Sequence, residues 1–200
     1  MRARLTREER QRVLIEAALS LFSRHGFQGT TTKGIAQAAG CSEATLFKHF
    51  ASKDALYSAI LESKVQVEET LVKAKQAADR KDDAGVFRAV GLAGLIQIEQ
   101  DPALMRLLLF SALEGHTLAH TFFETKVRSL HIFLGSYIDA RIAEGAFRPI
   151  HSLVAARAFV GMVVHYLLVH EIFKIKRPAG FLPEQAVDTF VTLFCDGIRR

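Results

Sequence analysis

Two hundred residues, half of them hydrophobic and 24% charged, give enough apolar material for one or two packed domains and exclude a disordered chain. Two cysteines, Cys41 and Cys195, cannot build a disulfide framework or a thiolate metal site, so both are expected as reduced thiols. The formal charge is +5, and nearly all of the excess lies in the first third: residues 1–64 hold 10 Lys/Arg against 6 Asp/Glu, residues 65–200 hold 16 against 15. A basic end on a balanced chain is the footprint of a polyanion-binding end.

The chain reads as helix almost throughout, with no sustained two-residue alternation and only four prolines. Arg2, Arg4, Arg7, Arg10 and Arg12 crowd the start, as solvated residues or as an arm for phosphates or the minor groove. Thr6 is the expected cap of a first helix whose stripe is Val13, Leu14, Ala17, Ala18, Leu21 and Phe22, ended by Gly26. A short helix follows at Thr32–Ala39, with Gly40 as a left-handed stop. Ser42 caps Glu43–Phe50, and Ser52 caps a long helix expected to run to about Ala78. Polar residues 79–83 read as a loop. Further helices are expected at Ala84–Gln100, Pro102–Leu113, Thr117–Glu144, Leu153–Ile175 and Pro183–Ile198, separated by Gly145, Pro149, Pro178 and Gly180.

The turn Gly40-Cys41-Ser42 is short enough to make two helices cross steeply, which is helix-turn-helix geometry. The first would bury Ile35 and Ala36, and the second Leu46 and Phe50. Glu43, Ala44, Thr45, Phe47, Lys48 and His49 then face outward. Small residues permit close approach to a major groove, Thr can meet a base edge or phosphate, and Lys and His can donate to phosphate.

The run Thr31-Thr32-Lys33-Gly34-Ile35-Ala36, the Gly40 turn, Leu46-Phe47-Lys48-His49-Phe50 and Ser52-Lys53-Asp54-Ala55-Leu56 closely resemble the DNA-binding domain of the TetR/AcrR family of transcriptional regulators. Ala17-Ala18-Leu19-Ser20-Leu21-Phe22 and Gly26-Phe27 match as well. The resemblance implies that Thr31 or Thr32 caps the second helix and touches a phosphate. It implies that Ser42, Thr45, Lys48 and His49 line the recognition helix and that Lys53 meets a phosphate. With the outward residues, the candidate DNA-contacting set is Thr31, Thr32, Lys33, Ser42, Glu43, Ala44, Thr45, Phe47, Lys48, His49 and Lys53. Two departures stand out: Ala44 where the family often has Gly, and Phe47 where it often has Tyr. Phe47 keeps the packing surface but has no hydroxyl for a phosphate.

The expected architecture is all-α, with a helix-turn-helix domain at residues 1–52 and a helical ligand-binding and dimerisation domain at 53–200. The last two helices are apolar around much of their circumference, so a homodimer through them is expected, matching a palindromic site on double-stranded DNA. In a DNA-competent dimer the recognition helices sit about 34–36 Å apart. The long helix from Ser52 is the expected lever between that state and an effector-bound one. A mostly apolar pocket for an unidentified small-molecule effector is expected between residues 84 and 175. Its candidates are Phe110, His116, Phe122, Phe123, Tyr137, Met162, His165 and Tyr166.

His116, His120 and Glu124, at four-residue steps, would support a metal-responsive alternative, although no resident metal or cofactor is expected. A helical small-molecule-binding protein without DNA function is a second alternative, and an activator a third. No Gly-x-Ser-x-Gly, phosphate loop or His-Glu-x-x-His is present, so no catalytic residue is expected. The start carries no secretory pattern, and the apolar stretch Ala158–Val169 is read as too short to span a bilayer. A cytoplasmic protein without a membrane partner is the expectation.

Overall fold

A computed structural model of the chain describes residues 5–65 and 67–200. Arg2 and Arg4 of the expected arm lie outside them. The elements are α1 (Arg7–His25), α2 (Thr32–Ala38), α3 (Glu43–His49), α4 (Lys53–Lys64), α5 (Val67–Asp79), α6 (Asp83–Gln100), α7 (Pro102–Leu113), α8 (Thr117–Phe122), α9 (Arg128–Ala143), α10 (Ser152–Leu167) and α11 (Pro183–Ile198). A π-helical turn, Phe123–Val127, joins α8 to α9, and a second, Leu168–Ile172, extends α10. Among the described residues there is no strand, only an isolated antiparallel bridge between Phe147 and Arg199. The fold class is all-α, as expected.

The caps explain why the early helices begin where they do. Thr6, Thr31, Ser42 and Ser52 each accept a hydrogen bond from the amide three residues on, with Glu9 closing a capping box on Thr6. Gly40 takes φ of +63°, the left-handed conformation that ends α2 and redirects the chain into α3.

Three expected boundaries are corrected. The long helix from Ser52 is two helices, because α4 stops at Lys64 and Val65 is extended, at φ −114° and ψ 108°. A β-branched residue adopts that conformation readily. The expected helix 117–144 contains the π turn. The helix expected to reach Ile175 gives way after its π turn at Ile172, and Lys174 takes φ of +58°.

The helices pack as two units. The first comprises Met1–Val65 and Ala103–Phe122, the second Gln66–Pro102 and Phe123–Arg200. In the first, Leu14, Phe22, Ile35, Leu46, Leu56, Tyr57, Ile60 and Leu107 are fully buried. Each such Leu, Ile or Phe contributes about 1.5–3 kcal/mol relative to exposure. The Tyr57 hydroxyl donates to the Leu107 carbonyl at 3.3 Å, tying α4 to α7, and burial pushes its phenol up to about 12.

In the second unit Phe87, Phe159 and Phe194 form a ring cluster with centroids 4.8–5.3 Å apart, joining α6, α10 and α11. The buried Asp83 carboxylate accepts from the Tyr137 hydroxyl at 2.6 Å and from Arg141 Nε at 2.8 Å, clamping the start of α6 to α9. Arg141 also pairs with Glu144.

The stretch Ser152–Ile172 corrects one more expectation. It is 21 residues of continuous helix with a mean hydropathy of 1.8, long and apolar enough to cross a membrane by length and composition. The apolar run Ala158–Val169 is only the middle of this helix, which continues on both sides. Only 22% of this window is fully buried within the chain, and Val154, Val164 and Gly161 are among its exposed positions.

Candidate nucleic-acid interface

The helix-turn-helix is built on α1. Ile35 and Ala36 of α2 and Leu46 of α3 are buried, with Phe50 behind them, as expected. The outer side of α3 then presents Ala44, Lys48 and Phe47, the last 47% exposed. Lys33 of α2 and Lys48 are exposed and have no ion-pair partner among the described residues. They are free to meet phosphates.

The polar residues of the set differ in how they are committed. Ser42 Oγ accepts from the Thr45 amide at 3.1 Å and lies 2.9 Å from the Thr45 hydroxyl, so these two hydroxyls pair at the start of α3. Thr31 accepts from the Gly34 amide, which makes it, of the two threonines, the cap of α2. The Thr32 hydroxyl donates to Glu43 at 2.5 Å. Glu43 is thereby turned toward α2, bracing the two helices, and is not part of the outward face. His49 is half-buried, and its Nδ1 is buried without a partner.

Lys53 also departs from expectation. Its ammonium donates to the carbonyls of Phe27 at 2.7 Å and Thr30 at 3.0 Å, and lies 4.0 Å from the centre of the Phe27 ring. It is turned inward to close the α1–α2 turn. The charge organises the turn that presents α2 and is not offered to a phosphate. Arg10 likewise donates to the Ala39 carbonyl at 3.2 Å, bracing the end of α2 on α1.

A second brace had no sequence signal. Gly26 takes φ of +71°, and Glu114, at the end of α7, lies directly over it. Glu114 accepts from the Phe27 amide at 2.9 Å. The His116 ring packs 4.2 Å from Phe27 and 5.1 Å from Tyr57. Its Nδ1 accepts from the Leu118 amide, which puts the proton on Nε2, 3.3 Å from Asp54. Both nitrogens are thus occupied, and His116 precedes α8 rather than lying on it. No group of three His, Cys, Asp or Glu residues is placed to hold a metal among the described residues, so the His116–His120–Glu124 alternative has no geometric support.

The pocket candidates do not gather. Phe110, His116 and Phe122 belong to the first unit, and Phe123, Tyr137, Met162, His165 and Tyr166 to the second. Tyr137 is committed to Asp83, Tyr166 accepts from Arg177 at 3.0 Å, and His165 is exposed on α10. His131, absent from the pool, is 5% exposed with neither ring nitrogen partnered. A histidine on a helical stripe reads in sequence as one more core position, and only the packing singles it out.

A short α2, a tight glycine turn and an exposed α3 on a buried scaffold, together with a separate helical unit, define a helix-turn-helix DNA-binding regulator. The chain belongs to the TetR family of bacterial regulatory proteins. The family model matches residues 14–60, and the C-terminal domain of AefR-like transcriptional repressors matches residues 85–197. Similar proteins include the nucleoid occlusion factor SlmA of Haemophilus ducreyi, 24% identical over 193 residues covering 95% of this chain and 79% of that protein. The transcriptional regulatory protein RaaS of Mycobacterium tuberculosis is 32% identical over 161 residues, 78% of this chain and 70% of that protein. Among solved structures, AibR in complex with isovaleryl coenzyme A and operator DNA superposes with a TM-score of 0.64, at 25% identity over 92% of this chain and 97% of that one.

Proposed function

We propose that this chain is a homodimeric cytoplasmic repressor, without catalytic activity, that leaves a palindromic operator when a hydrophobic small molecule binds its second unit. The observation that carries the reading is the outward side of α3, where Ala44, Phe47 and Lys48 stand free above a buried scaffold. Phe47 is suited to a thymine methyl. In this reading residues 1–52 supply the DNA contacts and 53–200 the effector and dimer functions. That AibR was crystallised with both operator DNA and an acyl thioester supports the pairing of the two functions on one fold. Release requires that the effector favour the state that fits the operator less well.

The test is selection of genomic fragments by the purified protein at near-physiological salt. Enrichment of one short palindrome is the expected result. No enrichment by folded, ligand-stripped protein refutes the reading. Lys48→Ala is expected to weaken binding across all sequences and to lower the salt slope by about 1. A changed sequence preference would instead mean that Lys48 reads a base.

The dimer reading rests on the uncovered stripe of α10. Val154 and Val164 are about half exposed, and Ala158 and Gly161 lie between them, small enough for a second helix to approach closely. Leu193 of α11 is 64% exposed. Gly161 has open space around it in the single chain, so Gly161→Arg leaves the fold intact and is expected to yield monomers in sedimentation equilibrium. A dimer that survives this change lies elsewhere.

A further inference from the structure

His131 is an unexplained group. It sits on α9 in line with the buried Leu134 and Ile138, is 5% exposed, and has no hydrogen-bond partner on either ring nitrogen among the described residues. A buried polar group left unpaired is a standing cost that leucine or phenylalanine would avoid at this position. Burial pushes its imidazole down from the ordinary value, and the nearby Arg157 charge adds to this, so the ring is neutral, with one N–H to donate and one nitrogen to accept.

Two neighbours give the site a chemical character. The Phe123 ring lies 5.6 Å from the imidazole and is 38% exposed, at the first residue of the π turn that joins α8 to α9. Turns of this kind are often found at functional sites. Arg157, on α10 at the edge of the stripe assigned above to the dimer, is exposed in the single chain and makes no ion pair among the described residues. The Phe123 ring and the imidazole are thus adjacent, and Arg157 faces them from α10: Leu153, one turn before Arg157, lies 3.8 Å from where a β-carbon on Gly135, one turn after His131, would stand.

We propose that His131 and Arg157 form the polar head of a binding site for a small carboxylic acid with a hydrophobic body, the body lying against Phe123. A carboxylate supplies two oxygens, one for the imidazole N–H and one for the guanidinium. Its charge answers that of Arg157. An alcohol or amide of the same shape would satisfy the imidazole but leave the cation unmatched. The assignment of such an acid as effector rests on the release reading above.

The experiment uses the full chain and octanoate and benzoate as probes, with octanamide and benzamide as matched neutral controls. Affinity is read by calorimetric titration, and the His131 ring by long-range ¹H–¹⁵N NMR. At least one acid is expected to shift the His131 ring resonances and to bind at least tenfold more tightly than its amide. His131→Phe fills the same space without unpaired nitrogens. It and Arg157→Gln, the latter confirmed as a dimer by sedimentation equilibrium, are each expected to weaken the acid tenfold or more. The proposal is overturned if neither acid binds, if the amides bind equally well, if the ring resonances stay fixed on binding, or if both variants retain full affinity. Operator affinity measured with each probe separates the two readings. Release by the amides with no change at His131 keeps the repressor reading and removes this site. Acid binding at His131 without any change in operator affinity keeps the site and removes the release reading.

Discussion

Replacing Phe22 by alanine is expected to weaken operator binding strongly by destabilising the first unit. Phe22 is fully buried, with the Phe27 ring stacked 5.7 Å away and the Tyr57 ring edge-on at 4.6 Å. Those rings also hold His116 and the carbonyl turn that receives Lys53. Truncating a core phenylalanine costs about 3–5 kcal/mol, the lost transfer energy plus the cavity that close-packed neighbours cannot fill. That is a large share of the total stability of an ordinary domain. The chain has no tryptophan, so far-UV circular dichroism in urea is the suitable probe. The expected result is a lower midpoint with an unchanged slope. A loss below about 1 kcal/mol would mean that the aromatic cluster rearranges to close the gap.

The second large effect is expected at Asp83. Its carboxylate is 9% exposed and serves both Tyr137 and Arg141, whose side chain is 14% exposed. Asp83→Ala strands a buried hydroxyl and a mostly buried guanidinium. Breaking one side of a buried pair typically costs about 3–5 kcal/mol. Arg141 keeps Glu144, so the loss should fall toward the lower end. Asp83→Asn retains an acceptor for Tyr137 and is expected to cost less than alanine. The triple change Asp83→Leu, Tyr137→Phe, Arg141→Met removes the whole polar set and should recover much of the loss, because an apolar replacement avoids the desolvation that the charges suffer. If alanine and the triple variant melt together, the clamp is not a coupled unit.

What could be read from the sequence was what depends on local spacing. Thr6, Thr31, Ser42 and Ser52 stand three residues before the amides they accept from, and the helix starts follow from that alone. The buried faces of α2 and α3 follow from Ile35, Ala36, Leu46 and Phe50 for the same reason. The break after Lys64 was not legible, because Val65 and Val67 continue the apolar rhythm of both flanking helices. Neither π turn has a local signature: Phe123–Val127 and Leu168–Ile172 continue the helical pattern of their neighbours. Spacing puts Lys53 at the start of α4 but does not say which way its stem runs. The direction depends on how residues 26–30 fold, which brings two carbonyls within reach. Glu43 was misread for a similar reason, because its partner Thr32 lies eleven residues away across a turn. The pocket pool scattered because aromatic residues on helices are first of all packing material.

The Gly26–Glu114 contact makes two positions 88 residues apart historically dependent on each other. A β-carbon on residue 26 would lie 2.0 Å from the Glu114 carboxylate, so a side chain there requires that carboxylate to swing aside and give up the Phe27 amide. A shorter residue at 114 removes that clash but leaves the φ of +71°, which costs any other residue strain. The two costs at position 26 are therefore separable: a change at 114 removes the crowding and the hydrogen bond that would be lost, and the backbone strain stays. Directed evolution of this regulator should recover substitutions at position 26 rarely, and more often in lineages already altered at position 114.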